Sequence, residues 1–571
     1  MKIAMRLLSA LGFSAVFAFS AVIEAKACTA VYVGSEASED GTVIMAKSND
    51  YQDVWANYIT VTERVENEPG RTMPVDNGKT VFAPIPDTTY RYTSTPWMDS
   101  ATEINGLGSD ATVCANEYGV SMIISITSFS NKAALAADPL IEEGLTEFTA
   151  VDLVVCQSRT AREAVEVLGR ILDEYGSSEV NIALIADQKE AWYFEMYNGH
   201  QWAAVKLPED AVCVFGNEFS LEYLSDYEDS VVSKDLESLA VENSFAVYGR
   251  NGELNLLDTY SGSEVVTDYS HRRTWIGHQI LAPSQYGEYD KTEKYPLCFE
   301  PEKKVSLQDV MEIMRNRFEG TEFNPDETGR TDIRVIGTDT ALSVHAAQIY
   351  KDLPADISCV TWESSGPALY GVFVPVSNGV LSISEPYSRN QSAEEAYVFD
   401  TENYPYYRFK ELNTLGVEKS DYKTYGEPVR AYWHEAETIM VKGMDEILRT
   451  AAAMSDHEAA KQYITDYCSH MQNQAFEDAG TLLNDVRWYR SHNSNTMKNG
   501  RNPETHEVID ELKRVDPLTV TLDPSVYDYV PEAAAEPAET PEKDNTPLYI
   551  TFGVIAAALI AVLAFRKTKK A

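Results

Sequence analysis

Basic residues are scarce in this chain: Lys and Arg total 47 against 89 Asp and Glu, a formal charge of −42. Such a field repels phosphate backbones and anionic headgroups, which excludes nucleic acid as a partner. Lysine is about as frequent as arginine, which argues against a salt-adapted protein. Histidine is rare, at nine residues, and none of them forms an HExxH or zinc-finger pattern. No two of the seven cysteines are spaced Cys-x-x-Cys, so the sequence offers no zinc site. There is no short-period repeat, which sets aside a solenoid. With 44% hydrophobic residues over 571 positions, wholesale disorder is excluded too.

What is there begins at the two ends. Residues 1–27 carry Lys2 and Arg6, an apolar run from Leu7 to Ile23, and Ala25-Lys26-Ala27, the small-x-small pattern of a secretory signal cleaved before Cys28. Leu548 to Phe565 is 18 residues without a charge, followed by Arg566, Lys567, Lys569 and Lys570. That reads as a transmembrane helix with residues 566–571 as its basic cytoplasmic tail. Residues 516–547, rich in Pro, Glu and Ala toward their end, read as a stalk. Residues 28–515 are then the working domain, exported and tethered at the cell surface.

Seven cysteines, Cys28, Cys114, Cys156, Cys213, Cys298, Cys359 and Cys468, leave at least one unpaired in an oxidising space. Cleavage after Ala27 would put a thiol and a free α-amino group on the same residue, Cys28. An α-amine titrates near pH 8 and can take the thiol proton directly or through one water. A disulfide at Cys28, its lipidation, and cleavage elsewhere are the competing readings. The residues that follow form a hairpin pattern: a strand from Cys28 to Gly34, a turn at Asp40-Gly41, and a return through Thr42 to Ala46. That hairpin returns Lys47-Ser48-Asn49-Asp50 to the neighbourhood of Cys28, where a cation favours thiolate and a carboxylate can hold an ammonium; two solvated hairpin charges are the plainer reading.

Cys28-Thr29, Asp40-Gly41 and Lys47-Ser48-Asn49-Asp50 together resemble the N-terminal-nucleophile cysteine dipeptidases, the dipeptidase A and secernin group, distant relatives of penicillin V acylases and bile salt hydrolases. Asn116-Glu117-Tyr118-Gly119-Val120, Arg159 to Ala164, Ala186-Asp187 through Glu195, Gly199-His200-Gln201-Trp202 and Asn217 continue the likeness. Phe318-Glu319-Gly320-Thr321, His345 and Leu353-Pro354 to Trp362 extend it toward residue 515. The ordered series is more specific than any one piece.

The resemblance implies an α+β fold, a four-layer αββα sandwich, with added C-terminal helices here. It implies Cys28 as nucleophile, its own amine as base, Asp50 holding that amine and Lys47 supporting the thiolate where relatives often carry arginine. Asn217 and the Asn116 region would supply oxyanion donors. Arg273 would be a distal site arginine, with Arg272 as its rival. Dipeptides are the implied substrate, no cofactor or metal is needed, and assembly into a homo-oligomer is left open. An amidase on non-peptide acyl amides and a non-catalytic surface binding protein are the alternatives.

The residues also have plainer readings. Asn116 and Asn217 fit turns, His345 a hydrogen-bonded core histidine, Trp192, Trp202 and Trp362 packing, and Arg159 and Arg162 a solvated helix face. Strand patterns run over Thr112 to Thr127, Asn181 to Tyr197, Gln201 to Lys206 and Gly371 to Pro375. Helical spacing runs over Thr149 to Tyr175 and through Glu427 to Trp488.

Overall fold

The structure, a computed structural model, describes residues 28–51, 56–96, 111–124, 126–262, 268–391, 398–417, 422–493 and 520–531. The signal at 1–27, the apolar run at 548–565 and the basic tail at 566–571 lie outside the described residues. Among those described, no helix is long and apolar enough to cross a membrane.

The first hairpin shows how local chemistry starts the fold. Asp40 Oδ1 accepts the Thr42 N–H at 3.0 Å and its hydroxyl at 2.7 Å, and Gly41 takes φ +79°, a left-handed conformation open to glycine. Strands Ala30–Val33 and Val43–Asp50 leave that turn antiparallel, with Ala30 opposite Lys47 and Val33 opposite Ile44. The return strand is the longer because its other edge pairs with Ala341–Ile349.

Six strands form the first sheet, in the order Val212–Phe215, Ala30–Val33, Val43–Asp50, Ala341–Ile349, Cys359–Ser365 and Val374–Ser377. The second has eight: Ser230–Val232, Trp202–Lys206, Ala191–Met196, Asn181–Ala186, Ser121–Ile123, Ala111–Asn116, Tyr92–Pro96 and Thr60–Thr62. Every pairing in both is antiparallel.

Side-chain alternation along these strands builds the layers. Ala30, Tyr32, Val43, Met45 and Ile349 of the first sheet pack against Val113, Ala115, Leu184, Tyr193 and Val205 of the second. The alternate residues Val31, Val33, Ile44 and Ala46 turn outward to Ile276 of the helix Asp268–Leu281 and to Met311 and Met314 of Leu307–Arg315. On the far side, Met122, Ile185, Trp192 and Phe194 meet Val151, Val154 and Leu168 of the helices Glu147–Val155 and Ala161–Tyr175. The result is helix, sheet, sheet, helix: the expected αββα sandwich, an α+β fold. The added C-terminal helices are Pro405–Val417, Tyr422–Ala452 and His457–Asn493, and Trp433, Ile464 and Met471 join the core of the first sheet.

Three expectations change. The helix read over Thr149 to Tyr175 is two, because Thr160 takes an extended backbone and caps the second by accepting the Glu163 N–H. In the Gly371 to Pro375 run, the strand starts only at Val374. Part of the expected stalk belongs to the folded unit: residues 520–531 include the short helix Pro524–Tyr527, and Tyr527 is fully buried with its hydroxyl on Asp478 at 2.8 Å. His470 stacks on Tyr529 and binds the Val526 carbonyl at 2.8 Å. An aromatic pair with a core to cover overrides the polar composition around it.

Candidate active site

Cys28 stands two residues ahead of Ala30, 1% exposed and with its thiol unbridged. Strand register decides its company. Ala30 faces Phe215, so continuing that register by two residues sets Cys28 across from Asn217. On the other side Ala30 faces Lys47, whose buried ammonium donates to Thr112 Oγ1 at 3.2 Å and so reaches across to the second sheet. Thr29 and Ser48 join the two strands, Thr29 N donating to Ser48 Oγ at 3.1 Å and Ser48 N to the Thr29 carbonyl at 3.0 Å.

Arg273 ties the cluster together. It is fully buried on Asp268–Leu281, and its guanidinium donates to the Cys28 carbonyl, to Thr29 Oγ1 at 2.9 Å and to Asn217 Oδ1 at 2.8 Å. Asn217 Nδ2 donates to the Thr127 carbonyl at 2.7 Å. Asn217 is thus held from both ends with its amide orientation set. Arg272 points elsewhere: it pairs with Asp268 at 3.1 Å and lies over the Phe323 ring. The structure therefore brings Arg273, and not Arg272, to Cys28.

Burial pushes the Cys28 thiol up; Lys47 and the Asp50 backbone N–H pull it back toward thiolate, while the Asp50 and Glu147 carboxylates oppose them. Asp50 is itself raised by burial, against the pull of Arg334 and Arg273. Arg334 Nη2 is 3.2 Å from Asp50 Oδ2, an ion pair without the alignment of a hydrogen bond. Arg334 is the residue sequence reasoning missed. It lies far along the chain in a segment without helix or strand, and no local pattern marks it.

Asn116 does not join the cluster. It shares its strand face with Cys114, turned toward the helix Glu147–Val155 and away from the space between the sheets. Its amide donates to the Val155 and Ser158 carbonyls at 2.8 and 2.7 Å, and its oxygen accepts from Tyr118 N and Val120 N at 3.0 Å each. Both side-chain N–H groups are committed to the carbonyls at the end of the helix Glu147–Val155, which leaves none for an oxyanion. The plainer readings hold for several others. His345 is fully buried against Glu363 and Ser343, Trp192 and Trp362 are fully buried, and Arg162 pairs with Glu166 and Asp229 on the helix surface.

An unbridged cysteine heading a strand of an αββα sandwich is the layout that the sequence likeness to the N-terminal-nucleophile cysteine dipeptidases implies. The chain belongs to peptidase family C69, which it matches over residues 27–435, and is a cysteine-type peptidase. It is similar to a probable dipeptidase B of Streptococcus pyogenes serotype M1, 28% identical over 392 residues, covering 66% of this chain and 76% of that one. A probable dipeptidase B of Lactococcus lactis is 30% identical over 358 residues, covering 61% and 73%. A probable dipeptidase of Latilactobacillus sakei is 29% identical over 374 residues, covering 64% and 77%. Among solved structures, a mutant conjugated bile acid hydrolase from Clostridium perfringens shares 10% identity at a TM-score of 0.28, over 59% of this chain and 89% of that one.

Proposed function

We propose that this protein is an exported, membrane-tethered dipeptidase that works through a thioester at Cys28, made the first residue by removal of residues 1–27. The carrying observation is the Arg273 guanidinium, which binds the Cys28 carbonyl and the Asn217 amide at once and so holds nucleophile and oxyanion donor as one unit. The relatives named as probable dipeptidases support dipeptides as the substrate.

In this reading the Cys28 α-amine takes the thiol proton and the thiolate attacks the peptide carbonyl carbon. Asn217 Nδ2 donates to the oxyanion of the tetrahedral intermediate. The intermediate collapses as the resulting ammonium gives its proton to the leaving amine, and water then hydrolyses the thioester with the amine again as base. Asp50, a buried carboxylate beside the strand end, anchors the ammonium form. Lys47 supports the thiolate.

The test is intact mass and N-terminal sequencing of the exported protein before and after iodoacetamide, with a dipeptide hydrolysis assay on the same sample. The expected result is a chain starting at Cys28, one label at that residue, and loss of dipeptide cleavage on labelling. A mature chain in which Cys28 is blocked or absent while dipeptide cleavage persists would overturn the mechanism.

A further inference from the structure

Two cysteines outside the site are placed for a bond that the proposed reaction does not use. Val212 and Phe299 exchange both backbone hydrogen bonds, Val212 N to Phe299 O at 2.9 Å and Phe299 N to Val212 O at 3.0 Å, as an isolated antiparallel bridge. In antiparallel pairing the position next to such a pair is a non-hydrogen-bonded one, where Cα atoms approach to about 4.5 Å. One step along this register Cys213 faces Cys298. That spacing lies at the short end of the range disulfides adopt, about 4.4 to 6.8 Å. Their sulfurs are already 3.2 Å apart.

We propose that Cys213 and Cys298 form a reversible disulfide that fastens the segment around Phe299 to the edge of the first sheet. The edge matters because Val212–Phe215 is the outermost strand of that sheet, and its inner neighbour Ala30–Val33 leads back to Cys28, with Tyr32 directly opposite Cys213. The same edge strand runs on to Asn217. A cross-link at Cys213 therefore sits four residues from the oxyanion donor and closes a loop between positions 85 apart in sequence.

The oxidant is a low-molecular-weight disulfide such as glutathione disulfide. Cys298, the more exposed of the two, borders a surface cavity of about 380 Å³ lined also by Tyr223, Tyr227 and Glu300. Its thiolate attacks one glutathione sulfur, forms a mixed disulfide and releases one glutathione thiolate. The Cys213 thiolate then attacks Cys298 Sγ and displaces the second glutathione. Two protein thiols lose their protons and are oxidised together, and one glutathione disulfide is reduced to two thiols. Burial raises the Cys213 thiol well above its ordinary range, and Cys298, the more exposed, is the one an external disulfide meets first.

The experiment takes the purified full chain, reduced and then incubated with glutathione disulfide, followed by alkylation under denaturing conditions and peptide mapping without reduction. The expected product is the Cys213 peptide joined to the Cys298 peptide, lighter by two hydrogens than the separate pair and separated by dithiothreitol. In Cys213→Ser the expected product is instead glutathione retained on Cys298. As a second readout, oxidation raises the thermal midpoint of the wild-type chain by a few degrees and leaves that of Cys213→Ser unchanged. Both thiols alkylated, a stable mixed disulfide on the wild-type chain, or bridging of either cysteine elsewhere would overturn the proposal. None of these readouts involves hydrolysis, so they stand or fall apart from the dipeptidase reading.

Discussion

Asn217 accepts from Arg273 with its oxygen and donates one amide hydrogen to Thr127; among the described residues its other hydrogen has no acceptor. Asn217→Ala removes that donor, and the expected effect is a fall in kcat of about 10²- to 10³-fold with little change in KM, read from steady-state dipeptide hydrolysis. Nearby, Glu195 is a fully buried carboxyl whose Oε1 accepts from Tyr193 at 2.6 Å, Ser220 N at 2.8 Å and Leu221 N at 3.2 Å, clamping the segment that follows Asn217. Burial pushes it up to about 7, against the pull of those donors. A carboxyl raised on folding contributes stability that is full below its unfolded value near 4.3 and is lost as pH rises through 7. Glu195→Gln keeps the Oε1 acceptor and removes the titration. Denaturant unfolding at pH 5 and pH 8 is expected to show the wild type losing on the order of 3 kcal/mol more than the variant as pH rises.

At the scale of elements, the helix Asp268–Leu281 matters because it lies against Val212–Phe215 and carries Arg273. Gly277 makes that approach close: a Cβ there would stand 2.2 Å from Val214 Cγ1. Gly277→Ala must lift the helix from the strand, at an expected cost of about 1–3 kcal/mol from overpacking, and draw the guanidinium one turn away from Cys28 and Asn217. Both the thermal midpoint and kcat should fall. Adding Val214→Gly to the same chain removes the β-carbon that would stand 2.4 Å from the new methyl together with both γ-carbons, and should restore part of both, whereas an effect of helix propensity alone would not respond to position 214.

For the whole molecule, the described residues run to 531 and the apolar run begins at Leu548. A chain stopped after residue 531 should leave the membrane fraction, in which the full chain is expected, while keeping the full chain's specific activity. A chain stopped after residue 519 loses Tyr527 from the core and its hydrogen bond to Asp478, and is expected to be destabilised by about 3–5 kcal/mol. Fractionation, activity and unfolding of the three chains separate tethering from folding. A 531-residue chain that stays with the membrane would count against the anchor at 548–565.

Contacts that are short in sequence are legible in the residues themselves. The Asp40-Gly41 turn, the return of Lys47 toward Cys28, and the alternation that divides each strand between two cores all follow from residues within one hairpin or strand. The class of fold is legible too, because an ordered series of local motifs carries the likeness to a family. Pairings between distant segments are decided only by tertiary structure. Arg334 comes to Asp50, Arg273 rather than Arg272 turns inward, and Cys213 meets Cys298, each through a register or a helix rotation that no local pattern encodes. Asn116 marks the same boundary from the other side. Its position at a strand end fits two roles equally, and the face of the sheet it occupies, set by what packs on each side, assigns its amide to the Val155 and Ser158 carbonyls.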